Sequence, residues 1–448
     1  MAGELRRGRR GRFVAPAAAV VALLVVVAVV VVVLAGRGSP HRSRGGGPGP
    51  VSRSPGFATA QQIASLSTTS PAAQRAKAVA DGVRDGHYQG GGDSATVDML
   101  DVENRVGSIA LTTALWWRRT GDDSYLDPLR KFILASPRTF DPQAQSLPQF
   151  RALGGLLAAV GILSAAGEWD RSATLPNYQD VTWDEFMQGG GSAYQKPLPL
   201  RSLSGVGRVQ WRTIHGAAVD SASNWGAVAR FAYVMWAVCE GNNRAIDESA
   251  RLLQKWLGSS GSGEADFNTT AAYRSSWNNW ASRGAPDGSG QKLVAGIGKS
   301  DPAQPGLDGV VIEDVARGQH GYDAGARHYG ATGLGLTYPL ETADAVWATA
   351  GVLTNLGLHP DSWGEGGDGL TRMAAWLDRP GPGGGPSVFA AGQQAYSIYR
   401  NHPWLAQRFS SRDVGPKLPT ESAPDGLDRL TTFGDWLAAP SSTWGRGS

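Results

Sequence analysis

Between Glu313 and Gly330 the chain reads EDVARGQHGYDAGARHYG. The stretch opens on two carboxylates, Glu313 and Asp314, and gathers two arginines, two histidines and two tyrosines among four glycines. It has neither the apolar stripe of a helix nor the alternation of a strand, so packing does not explain it. It is not a plain charge run either, because its side chains differ in sign, shape and pKa. Guanidinium, imidazole and phenol groups gathered in this way suit a small, polar, anionic ligand.

Such a segment needs rigid elements to hold it, and the rest of the chain supplies helices. VGSIALTTALWWRRTGDDSYLDPLRKFIL, from Val106 to Leu134, has two apolar-periodic arms. They are split by Thr120-Gly121-Asp122-Asp123, a helix stop followed by an acidic helix start. NWGAVARFAYVMWAVCEGNNRAIDESARLLQKWL, from Asn224 to Leu257, sets Trp225, Val228, Ala232, Met235 and Cys239 on one face. Phe231, Val234 and Val238 make a second face apolar, which predicts a helix sandwiched between neighbours. After Glu240-Gly241-Asn242-Asn243, a second arm buries Ile246, Leu253 and Trp256. A third segment runs from about Leu340 to Leu377, with Gly and Pro punctuation near Leu358 to Gly369. An apolar helix, QFRALGGLLAAVGILSAAG, lies between the first two.

Helix pairs with short turns and few strand signals predict an all-α fold. With no strict period connecting them, an incomplete (α/α) toroid of antiparallel helix pairs is expected rather than a regular repeat array. Long linking segments such as Gly258 to Gly309 would lie over one rim. There TTAAYRSSWNNWASRG carries Trp277, a ring suited to stacking on a sugar face or to plugging a local apolar gap.

The first fifty residues stand outside that domain. Arg6, Arg7, Arg9, Arg10 and Arg12 give residues 1–12 a basic character. The valine-rich run 13–35 has the roughly 20 apolar residues that a bilayer-spanning helix needs. Residues 36–56 are a flexible linker of Gly, Pro, Ser and Arg. A secretory h-region is usually about 7–15 residues, so a retained transmembrane signal anchor is expected; the alternative is a secreted protein cleaved near Val33-Leu34-Ala35. The positive-inside rule keeps the arginines in the cytoplasm and puts the domain, residues 57–448, outside the cell membrane. The net charge of +3 leans on those arginines, so no nucleic acid is expected as a partner. The one cysteine, Cys239, excludes an intrachain disulfide and reads as a small buried hydrophobe.

Asn224-Trp225 opening a long apolar helix, followed by a short turn and a second helix, resembles the NW-containing core helix of alginate lyase-like proteins. Downstream, GVVIEDVARGQHGYDAGARHYGATGLGLTYPLETADAVW resembles the same family's later block. There an acid precedes an arginine, a glycine-rich stretch with histidine or tyrosine follows, and a helix carrying an ET or AE pair comes next, here Leu340-Glu341-Thr342-Ala343. The closing NHPWLAQRF and TTFGDWL are also similar to some members. The resemblance spans about Gly205 to Leu437. It departs from the family at the histidines: none adjoins Asn224, and His215 lies nine residues upstream. After Arg317, His320 comes close to the usual position, and Arg327-His328 offers a second register.

The resemblance implies β-elimination on an acidic, uronate-containing polysaccharide. The C5 proton of a uronate is weakly acidic while its carboxylate is ionised. An enzyme must therefore neutralise the carboxylate, remove the proton and protonate the departing O4. The Asn224 amide and Arg317 suit the first task through charge-assisted hydrogen bonds. His320 and Tyr322 suit the other two, with His328 and Tyr329 as substitutes; tyrosine serves as base only where nearby cations lower its pKa from about 10. His215, Trp225, His328, Tyr329 and Trp277 are the expected substrate-binding residues. Neither metal nor cofactor is required.

Each candidate also has a plain structural role. Asn224 suits an N-cap, Arg317 an ion pair with Glu313 or Asp314, and Trp225 the core. The rival functions are a glycoside hydrolase using carboxylates among Glu313, Asp314, Asp220 and Glu341, a non-catalytic membrane-tethered glycan-binding protein, and a helical scaffold for protein partners. The last leaves the polar segment unexplained. The chain shows no P-loop, HExxH pair or GxSxG elbow, and His320 and His328 make a poor zinc pair.

Overall fold

The computed structural model describes residues 56–88, 99–136, 146–175, 182–184, 214–259, 267–268, 292–293, 295–298, 308–312, 314, 322–323, 328–329 and 334–379. All of them belong to the unit Ser52–Ser448. The basic N-terminus, the apolar run 13–35, nearly all of the linker, Arg317, His320, Trp277 and the closing NHPWLAQRF and TTFGDWL lie outside the described residues. Among the described residues no helix is long and apolar enough to cross a membrane.

The fold is all-α. Its described α-helices are α1 (Ala60–Ala64), α2 (Pro71–Arg84), α3 (Met99–Thr120), α4 (Leu126–Ala135), α5 (Ser146–Ala165), α6 (Ile214–Asp220), α7 (Asn224–Glu240), α8 (Asn243–Trp256), α9 (Leu334–Asn355) and α10 (Gly369–Asp378). The named strands among the described residues are two-residue segments in antiparallel pairs. β1 (Phe267–Asn268) pairs with β2 (Lys292–Leu293), and β3 (Tyr322–Asp323) with β4 (His328–Tyr329).

Local chemistry accounts for several helix ends. Thr59 and Gln62 form a reciprocal capping box at α1. Ser70 caps α2 through the Ala73 N–H, with Pro71 just inside the helix. Between α3 and α4, Gly121 takes a positive φ of 69° and the Asp122 side chain accepts from the Ser124 N–H. This is the stop and restart that the sequence predicts. Between α7 and α8, Gly241 closes one helix in the left-handed conformation and Asn242 caps the next.

The long helices pack in a row, α2 on α3, α3 on α5, α5 on α7 and α7 on α9, while α8 folds back on α7. The middle helices are apolar nearly all round because they have neighbours on several sides. In α7 every residue from Gly226 to Met235 is buried, and in α5 every residue from Phe150 to Leu163. The sandwiching predicted for α7 is therefore present. Helix α8 is one-sided and buries Ala245, Ser249, Leu252, Leu253 and Trp256.

Gly154 and Gly155 let α5 serve two neighbours at once. A Cβ on Gly155 would run into the backbone of Gly107 in α3, and one on Gly107 into the Ala152 carbonyl. A Cβ on Gly154 would stand 2.7 Å from the Phe231 ring of α7. Phe231 in turn packs against Phe57, ring centroids 6.3 Å apart, so the described chain is seated in the core from its first residues. The Asn355 amide holds that entry by donating to the Gly56 carbonyl at 2.9 Å.

One boundary differs from the sequence expectation. Helix α9 begins at Leu334 and runs through Pro339 instead of opening at Leu340. Proline lacks an N–H and disfavours helical geometry at the preceding residue, so it signals a boundary. Here the missing bond falls on the Gly335 carbonyl, within the helix's first turn, and buried α9 residues beyond it, from Glu341 onward, hold the helix in place.

Candidate functional site

The turn Ser221-Ala222-Ser223 brings α6 into α7, and a glycine makes it possible. A Cβ on Gly226 would collide with the Ser221 carbonyl. Arg230, one turn further along α7 and buried, donates to the Ala218 and Ser221 carbonyls, each at 2.9 Å. Those carbonyls belong to the end of α6, where a helix leaves acceptors without intrahelical donors and favours a cation. The guanidinium also lies over the Trp256 ring, 5.8 Å from its centroid. Burial pulls the Arg230 pKa down to about 9, and the Asp314 charge opposes that fall. The side chain stays cationic at neutral pH.

Asn224 is the first residue of α7, and it is not the cap. Ser223 occupies the cap position without a side-chain cap bond. The α7 terminus is closed from far along the chain: the Asn224 backbone N–H donates to Asp314 Oδ1 at 3.1 Å. An anionic oxygen there also meets the positive end of the helix dipole. The Asn224 side chain turns the other way and donates from Nδ2 to Glu341 Oε2 at 2.7 Å. The plain reading of Asn224 as an N-cap is thereby corrected.

Two consecutive residues of α9 join these contacts. Glu341 takes the Asn224 amide on one carboxylate oxygen and the Arg151 Nε of α5 on the other. Thr342 donates its hydroxyl to the second oxygen of Asp314. Asn224, Asp314, Thr342 and Glu341 so form a closed ring, with Thr342 and Glu341 joined covalently. Arg151 pairs with Glu341, and the Arg230 charge acts on Asp314. No member of the group, Arg151 included, is more than 4 % exposed. Each buried charge faces an opposite one, as a dry interior requires.

A second polar group sits at a partly exposed place on α6, α7 and α8. His215 Nε2 lies 3.0 Å from Glu248 Oε1, and the Tyr233 hydroxyl donates to Glu248 Oε2 at 2.8 Å. Tyr233 stacks on Trp236, ring centroids 5.5 Å apart. Burial pushes the Glu248 carboxyl up, but the bonds from His215 and Tyr233 outweigh it and leave the pKa lowered. Burial and the Glu248 carboxylate drive the Tyr233 phenol well above its usual value, the opposite of what a tyrosine base needs. Burial also raises the Asp220 carboxyl, with His215 pulling against it.

The expected site residues are thus divided. Asn224 lies at the centre of the buried ring, and Trp225 beside it is half-buried against the core. His215 belongs to the second group. Its neighbour Tyr233 lies nine residues along α7 from Asn224, roughly 13 Å of helix rise, so the two are not neighbours. Tyr322 and Tyr329 are brought opposite each other in the β3–β4 pair, as are Asp323 and His328. That pairing gives strand structure to a segment whose sequence shows no strand alternation. Asp314 lies among the described residues, whereas Arg317 and His320 do not.

Sequence reasoning did not single out Arg151, Arg230, Tyr233 or Glu248, and gave Thr342 no role. The signal for the arginines was present: QFRALGG and VARFAYV each set one charge inside an apolar helix. Such a charge must be paired within the core. Thr342 and Glu248 carry no comparable local mark. Among the described residues no three His, Cys, Asp or Glu side chains are grouped to hold a metal ion.

Chemically, the ring is a device for orientation. An amide, a guanidinium, a hydroxyl and a helix N-terminus converge on two carboxylates, and all are withdrawn from solvent. The ring fixes the start of α7 against the polar segment at Asp314. No family model, curated protein or solved structure matches the chain.

Proposed function

We propose that the chain is a polysaccharide lyase-like enzyme that cleaves an acidic, uronate-containing polysaccharide by β-elimination. It would act outside the cell membrane, on an incomplete (α/α) toroid of antiparallel helix pairs tethered by the N-terminal apolar run. The observation that carries this reading is the bond between Asp314 and the first residue of α7. It ties the polar segment to the helix that bears Asn224. Arg317 follows Asp314 by three residues, a separation that chain geometry limits to roughly 10 Å. Asn224 itself is buried and spent on Glu341, so its part in this reading is to hold the start of α7, to which the segment carrying the Arg317 guanidinium is anchored.

In this mechanism Arg317, on the segment anchored at the start of α7, neutralises the uronate carboxylate and stabilises the enolate charge that grows on it. His320 or Tyr322 removes the C5 proton and a partner group protonates the leaving O4, with His328 and Tyr329 in the alternate register. The β3–β4 pairing of Tyr322 with Tyr329 supports the idea that both tyrosines serve one locus.

The test is ultraviolet absorbance of the unsaturated sugar end, using the full chain and a panel of uronate polymers. Product is expected from at least one polymer, with loss in Arg317→Ala and Tyr322→Phe. Absence of product from every polymer would sink the reading. A hydrolase would instead release saturated reducing ends.

The complete burial of Asn224 and its pairing with Glu341 favour a second reading, a tethered glycan-binding protein. That reading expects saturable polymer binding with no product, unchanged in Tyr322→Phe.

A further inference from the structure

Asn224 is held at both ends by groups that meet on α9. Its backbone N–H is taken by Asp314, its side-chain amide by Glu341. Thr342, next to Glu341, holds the other oxygen of Asp314. Removing one contact loosens a neighbour: the Thr342 hydroxyl fixes the second oxygen of Asp314, and without it the acceptor at the α7 terminus is held less firmly. Without Arg151, Glu341 loses the guanidinium bonded to one of its carboxylate oxygens.

We infer that Thr342 and Arg151 are positioning residues for Asn224, Thr342 acting through Asp314 and Arg151 through Glu341, so that the helix start and the polar segment are set as one unit. The function assigned to the clamp rests on the lyase reading; the clamp itself is a matter of coupling among five residues. Thr342 is the sharper probe because it carries no charge. Thr342→Val keeps its shape and deletes only the hydroxyl, while Thr342→Ser restores it.

With product formation as readout, Thr342→Val should lower kcat roughly 10- to 100-fold with KM little changed, the pattern of misplaced groups rather than weakened ground-state binding. Thr342→Ser should recover most of the loss. A Thr342→Val enzyme indistinguishable from Thr342→Ser, or one altered only in KM, overturns the positioning role. If the parent chain yields no product, the lyase reading falls and the clamp is judged by melting alone. Asp314→Ala, Thr342→Val and the double variant are then compared. A unit gives a double variant whose Tm loss is clearly smaller than the sum of the singles. Additive losses overturn the clamp whatever the activity, and they also decide the matter if Thr342→Val melts too low to assay.

Discussion

Asn224 donates from two different groups to two different carboxylates, and each of those carboxylates has its own further partner. Buried rings of this sort fail asymmetrically. Deleting one member strands the others in a medium that cannot solvate them. Arg151→Ala breaks the buried ion pair with Glu341 and should cost about 3–5 kcal/mol, read as a shift of the urea midpoint. Asn224→Ala removes the amide that donates to Glu341 and should cost about 1–3 kcal/mol. The second group makes a pH prediction. The folded-state pKa of Glu248 is lowered, so its contribution is present above the ordinary carboxylate pKa and is lost as pH falls through the lower folded value. Thermal melts between pH 7 and pH 3 should show that acid-side loss in the parent and a flatter profile in Glu248→Gln. An unchanged slope would mean that the His215–Glu248–Tyr233 contacts contribute little to the folded state.

At the level of elements, the glycines of α3 and α5 reverse the usual expectation for helices. An interior Gly→Ala change normally favours a helix by about 1 kcal/mol. At Gly107 and Gly155 the new methyl would enter neighbouring backbone, which cannot rotate away. Gly155→Ala should therefore destabilise by roughly 1–3 kcal/mol or more, a sign opposite to the propensity scale. Gly154→Ala should be milder, because the atom it meets is the side chain of Phe231. Chemical denaturation of the two single variants separates these cases directly. The helices themselves were legible because a 3.6-residue apolar period, capping residues and glycine stops are local signals. The start of α9 was not, since Pro339 argues locally for a boundary that tertiary burial overrides. The ring was only half legible. Arg151 and Arg230 announce themselves as charges in apolar runs, but pairing Thr342 with Asp314 is a long-range fact with no sequence period behind it. The β3–β4 pair escaped for a related reason: two residues per strand are too few to show alternation.

For the whole molecule, the core starts at its first described residues. Phe57 is buried against Phe231, and the backbone beside it is held by Asn355 from the end of α9. Phe57→Ala should cost about 3–5 kcal/mol. A chain trimmed to begin after Leu66 should melt lower still and bind a hydrophobic dye, whereas one beginning at Ser52 should melt like the parent. Equal melting of all three would show that the entry segment is an appendage to the core.

The distant cap on α7 also bears on the order in which the protein assembles. Ser223 makes no side-chain cap bond, and the acceptor that closes the helix comes from Asp314, 90 residues later. The Asn224 amide waits longer, for a glutamate 117 residues away. While the chain is being synthesised, helices α3 to α8 can therefore collapse on one another with the α7 terminus still open. The polar segment and α9 arrive last to complete it, and contacts of such wide sequence separation form slowly. Any activity that depends on Asn224 is consequently a property of the finished chain, and it should appear in refolding only after most helical signal has returned.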